Sequence, residues 1–154
     1  MSQGMIMAIH TCPAAGEPMR THREVTAVAG KGLEGDRYAL GTGHYSDSFG
    51  PDREVTIIEA EALEAVARET GIALAPHQAR RNLVSRGIEL NGLVGVTFTV
   101  GGVTLEGVKL CDPCGYLEKI TGKPVRAALE NRGGLRARVV SGGVIRVGDL
   151  IAAK

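Results

Sequence analysis

The segment Cys111-Asp112-Pro113-Cys114, followed by Gly115-Tyr116-Leu117-Glu118, carries the sharpest chemical signal in the chain. A strand pattern ends here, proline sets a turn, and Cys114 falls just ahead of a helical pattern. Backbone N–H groups and the dipole at a helix start favour an anion, so a thiol there leans towards thiolate. Thiolate is the form that attacks electrophiles and binds soft metals. The leading reading is one reactive thiolate at Cys114 serving a cofactor or substrate. Other readings stay open. Free cysteines often act as small buried hydrophobes. A zinc site would need two further ligands, yet no second Cys-x-x-Cys is present and His10, His22, His44 and His77 show no ligand spacing. A thioredoxin-like redox pair would expect α/β surroundings, which this pattern lacks.

Three other segments suit anions. Arg80-Arg81-Asn82 stands at the start of a strand with Arg86 beyond it, and planar guanidinium forks can clamp phosphate or carboxylate bidentately. In Gly32-Leu33-Glu34-Gly35-Asp36-Arg37-Tyr38, Gly35 permits a backbone shape closed to other residues. Asp36 can then accept from nearby amides while Arg37 points at a ligand or pairs with Asp36. In Asn131-Arg132-Gly133-Gly134-Leu135-Arg136-Ala137-Arg138, consecutive glycines after a helix can form a nest of N–H donors with Arg132 beside it. Each has a plain alternative: a solvated charge cluster, an Asx turn with a surface ion pair, or a helix stop followed by a strand with outward Arg136 and Arg138.

The elements that must position these groups are short. Met5–His10, Glu24–Ala29, Glu54–Ile58, Asn82–Arg86, Gly95–Val100, Val103–Val108, Leu135–Val140, Val144–Arg146 and Asp149–Ala152 read as strands. Gly101-Gly102 marks a tight hairpin. Cys12–Thr21 reads as a loop, and Gly41–Asp52 as a long polar one, with His44 as a candidate proton donor. Glu59–Thr70 is the strongest helix pattern, with Leu63, Val66 and Ala67 on one stripe and Gly71 as its left-handed stop. Gly115–Thr121 and Val125–Asn131 read as two short helices. Strands joined by glycine turns rather than long helices favour a mixed or antiparallel barrel over a doubly wound parallel sheet.

Composition narrows the function. The chain has 154 residues, enough for one domain spanning residues 1–154. Its 18 basic residues nearly balance 17 acidic ones, and only five aromatics (three Tyr, two Phe) are present. Both features argue against a nucleic-acid partner. Thirteen of the 18 cations are arginine, a bias towards recognising carboxylate and phosphate. No apolar run approaches the roughly 18 residues of a membrane span. Three cysteines and no secretory pattern over Met1–His10 make a cytoplasmic protein with reduced thiols the expectation.

The segments GLEGDRYA, PDREVTIIEAEAL, ARRNLVSRGIELNGLVG, VKLCDPCGYLEKITG and RGGLRARVVSGGVIRVGD, in that order, resemble a MOSC domain, the family named for the C-terminal domain of molybdenum cofactor sulfurase. The resemblance runs from about Gly32 to the C-terminus. It implies a mainly β fold with short helices: a closed mixed or antiparallel barrel of the pyruvate-kinase-barrel-like type. It also implies a characteristic cysteine, here Cys114, which ligates the metal of a molybdopterin-type molybdenum cofactor in the molybdenum-binding relatives. Arg37, Arg80, Arg81 and Arg132, with Asp36 and Asn82, are the candidates for gripping that cofactor and its phosphate. Reduction of N-hydroxylated substrates would then need electrons from a separate protein. A second implied role is a sulfur carrier holding a persulfide on Cys114, loaded by a sulfur-donor protein. A third is a non-catalytic anion-binding barrel. The family more often has histidine where Tyr38 stands. No lysine sits in a Schiff-base setting, so no pyridoxal phosphate is expected.

Overall fold

The computed structural model describes residues 3–14, 18–36, 54–73, 75–111, 129 and 132–153. The strands are β1 (Gln3–Thr11), β2 (Arg20–His22), β3 (Glu24–Val28), β4 (Gly32–Leu33), β5 (Val55–Glu59), β6 (Leu83–Arg86), β7 (Thr97–Val100), β8 (Val103–Leu110), β9 (Leu135–Ser141), β10 (Gly143–Arg146) and β11 (Leu150–Ala153). One α-helix, α1 (Ala60–Thr70), and two 3₁₀ turns, Pro76–Ala79 and Leu90–Leu93, complete the described elements.

Seven strands close into a barrel in the order β1-β11-β7-β8-β9-β5-β6 and back to β1. Every neighbouring pair is antiparallel except β5–β6, whose parallel register sets Ile57 beside Leu83. A parallel pair needs a crossover, and α1 supplies it. The barrel is mixed, as the glycine-turn pattern and the family resemblance both imply. A smaller sheet, β10-β3-β4, adds Val25, Ala27, Leu33 and Ile145 to the same core.

Side-chain alternation explains the interior. Phe98 and Val100 on β7, Val103 and Leu105 on β8, and Leu135, Ala137 and Val139 on β9 point inwards at every second position. β5 is buried on both faces: Val55 and Ile57 line the barrel, while Ile58 lies under α1 with Ala62, Leu63, Val66, Ala79, Val84 and Leu129. A strand covered on both sides reads as an unbroken β-branched run rather than an alternating one. β1 carries a bulge, a register shift between Ile6 and Ala8 against β6. Ile6 and Ile9 therefore both enter the core, and Met7 and Ala8 are left on the outside.

Two local expectations change. The buried stripe of α1 is Ala62, Leu63 and Val66, and Ala67 is exposed. At about 100° per residue, Ala62, Val66 and Leu63 span one arc, and Ala67 falls about 40° outside its edge. Arg20–His22, at the end of the expected Cys12–Thr21 loop, forms β2 against the end of β1. The helix stop holds: Gly71 has φ 75° and donates its N–H to the Ala67 carbonyl.

Candidate functional site

Tertiary pairing sorts the arginines. Arg86 meets Glu64 through both Nη atoms, Arg132 meets Glu69 at 2.8 Å, and Arg138 meets Glu106 at 2.7 Å. Arg86 thus belongs to a surface ion pair with α1 rather than to the Arg80-Arg81 cluster. Arg132, a candidate for the phosphate, meets Glu69 at the end of α1 through its Nη1. Both acidic partners are held below the ordinary carboxylate range, first by the hydrogen bond from their arginine.

Arg81 is different. It is 7% exposed, yet no carboxylate pairs with it among the described residues. Its Nε donates to the Gly133 carbonyl at 2.9 Å and its Nη1 to Ala79 at 3.4 Å, while Nη2 has no partner. A buried cation without a counter-ion is costly unless something else supplies the negative charge. The next residue in the Gly-Gly pair, Gly134, accepts the amide of Cys111 at 2.7 Å. Arg81 and the start of the Cys-Asp-Pro-Cys segment are thus anchored to consecutive residues.

Arg80, one residue earlier, has φ 57°, a left-handed conformation that costs a side-chain-bearing residue. Its Nη2 reaches Cys12 Sγ at 3.6 Å. Cys12 is fully buried; its thiol donates to Ala14 and its amide to Asp36 Oδ1 at 3.0 Å. Asp36, also fully buried, closes the Gly-Asp-Arg turn by donating its own N–H to Leu33. It accepts an amide as expected, but one 24 residues away.

Asn82 is fully buried and ties three strands together. Its Oδ1 accepts the Thr56 amide at 3.0 Å and the Thr56 hydroxyl at 3.2 Å; its Nδ2 donates to the His10 carbonyl at 3.2 Å. Expected beside the cofactor, it spends these bonds joining β1, β5 and β6. Cys111 is buried. Cys114, Arg37, Tyr38 and His44, the Gly41–Asp52 loop and both short helices after Pro113 lie outside the described residues.

Sequence spacing alone missed a second polar group. His10 Nδ1 meets Thr21 Oγ1 at 3.2 Å, and His22 Nε2 meets Thr11 Oγ1 at 2.6 Å, so the β1–β2 pairing gathers two histidines and two threonines. The signal was faint: a His-Thr pair at the end of one strand and a Thr-His pair on the next. Among the described residues no set of three His, Cys, Asp or Glu could hold a metal. Burial, then nearby His77 and His22, holds His10 below its ordinary pKa of 6.5. The folded state therefore binds fewer protons than the unfolded state just below that value, and acid favours unfolding. Urea titrations should show stability falling as pH drops through about 6.5, with a shallower slope in His10→Gln; equal slopes would remove His10 as the cause.

This arrangement defines a class: a small closed mixed barrel with a corner where Arg81 and Cys111 are bonded to consecutive glycines. The MOSC domain family model matches residues 44–152. The chain belongs to the MOSC domain family, which is associated with binding of the molybdenum cofactor. No curated protein matches the sequence. Among solved structures, the YuaD protein from Bacillus subtilis is similar at 17% identity and TM-score 0.78, covering 98% of this chain and 97% of that one. YiiM from Geobacillus stearothermophilus is similar at 17% identity and TM-score 0.70, covering 98% and 75%. YiiM from Escherichia coli is similar at 20% identity and TM-score 0.67, covering 100% and 70%. Likeness at these identities shows the fold. Among the described residues no helix is long and apolar enough to cross a membrane.

Proposed function

We propose that this chain binds a molybdopterin-type molybdenum cofactor, with the Cys114 sulfur as metal ligand and Arg81 facing the pterin phosphate. The observation that carries the reading is the buried Arg81 guanidinium, its Nη2 unpartnered and no carboxylate on it among the described residues. A phosphate supplies the missing negative charge and accepts bidentately. Three residues of chain span no more than about 11 Å, so covalent connectivity alone tethers Cys114 to Cys111, whose amide is bonded beside the Arg81 anchor. When bound, the cofactor supplies a redox-active metal. The chain's own residues hold it: a soft sulfur suits molybdenum, and Arg80, bonded to Cys12, adds a second cation next to Arg81 in sequence. Reduction of N-hydroxylated substrates, with electrons from a separate protein, extends this reading on the strength of the family likeness.

The test is elemental analysis of wild-type protein, Cys114→Ala and Arg81→Met, each expressed in a host that makes the cofactor. Wild type should carry stoichiometric molybdenum and Cys114→Ala almost none. Arg81→Met should retain at least about tenfold less, while its urea stability stays within about 2 kcal/mol of wild type, because lost hydrogen bonds and a relieved buried charge offset each other. Absent molybdenum in wild type, or equal amounts in Cys114→Ala, refutes the reading. A reducible mass gain of about 32 Da at Cys114, one sulfur atom, in metal-free protein would put the sulfur-carrier role in its place.

A further inference from the structure

The bulge in β1 turns Met7 and Ala8 outwards together, and these two residues line both of two adjoining grooves. The first, about 620 Å³, runs between α1 and the outer face of β1 and β6 over Ala60, Leu63, Ala67 and Val84. Its lining is small and apolar, and its volume falls in the range of small-molecule sites. The second, about 540 Å³, continues past Met7 to His22, Arg23, Glu24 and Arg146.

The charges along this path largely cancel. Glu64 pairs with Arg86 at the wall of the first groove, and Glu24 pairs with Arg146 at 3.1 Å in the second. Arg23 is exposed and has no ion pair among the described residues. His22 is occupied by Thr11. Among the described residues, the trench therefore has an apolar end and, beyond the Met7 ridge, the Arg23 cation with no carboxylate paired to it. That is the complement of a molecule with an apolar body and a single anionic head.

We propose that this trench binds an amphipathic organic anion, its apolar body against Ala60, Leu63 and Ala67 and its anionic group on Arg23. Neither groove is lined by Arg80, Arg81, Gly133 or Gly134, and the proposal does not depend on a cofactor.

Two dyes that share one scaffold test it by calorimetric titration: 8-anilinonaphthalene-1-sulfonate, which is anionic, and N-phenyl-1-naphthylamine, which lacks the sulfonate. Wild type should bind both saturably at one site per chain, the sulfonate more tightly. Ala67→Phe, which fills the groove from an exposed helix position, and Ala67→Glu, which places charge in it, should each weaken both dyes by at least about tenfold. Arg23→Gln should weaken the sulfonate by about fivefold, the strength of an exposed ion pair, and leave the neutral dye unchanged. Circular dichroism melts confirm that the variants fold. Non-saturable binding, or saturable binding that neither Ala67 substitution weakens, overturns the site. Equal effects of Arg23→Gln on both dyes, or none on either, overturn the anionic class.

Discussion

Asn82→Leu is expected to destabilise the folded protein by about 3–5 kcal/mol, because it leaves buried hydrogen-bonding groups without partners and puts two methyl groups where the smaller amide O and NH2 sat. The Thr56 amide loses its acceptor and the His10 carbonyl loses a donor, both inside the barrel wall. Each unsatisfied buried group costs about 1–3 kcal/mol. The Thr56 hydroxyl keeps only the bond it accepts from the Asn82 backbone. Urea unfolding measures the loss, and a double-mutant cycle with Thr56→Val should return a coupling of at least about 1 kcal/mol. A loss below about 1 kcal/mol would mean that water or a shifted backbone replaces the amide, and Asn82 would return as a candidate for ligand contact.

Gly134→Ala is expected to cost about 4 kcal/mol and to empty the proposed cofactor site together with it. Gly134 has φ 109°, outside the range a side chain adopts comfortably, and an added Cβ would strike the Ile57 carbonyl oxygen. That oxygen belongs to the β5 backbone and cannot swing aside as a side-chain tip would. The corner itself must shift, taking with it the Cys111 amide bond to Gly134 and the Arg81 bond to Gly133. Thermal melts and molybdenum content, measured on the same preparations, should fall together. A stable Gly134→Ala protein with full metal would show that neither anchor matters. Gly142, whose Cβ would also meet a backbone oxygen, that of Ala27, serves as a comparison away from the corner; Gly142→Ala should lose stability without a matching loss of metal per folded chain.

The strands of the barrel were legible because burial on one face imposes period two, as β8 and β9 show residue by residue. Helix α1 and its Gly71 stop were legible for the same local reason. β2 and β4, of three and two residues, are too short to display any period, and only their partners make them strands. The bulge at Met7 was illegible because the sequence around it keeps the same hydrophobic character; the register against β6 creates it.

At the candidate site, one piece of residue chemistry could be read directly: the Asp of the Gly-Asp turn accepts an amide, as hydrogen-bonding carboxylates in turns do. Which arginine is left for an anion could not. Arg81 and Arg132 are equally good forks in a sequence, but Glu69 lies beside Arg132 across 63 residues, and among the described residues no carboxylate pairs with Arg81. Periodicity and backbone demands are set by neighbours a few residues apart, so they survive in one dimension. The pairing of charges, like the meeting of Cys12, Asp36 and Arg80, depends on chain segments that come together only when the barrel closes.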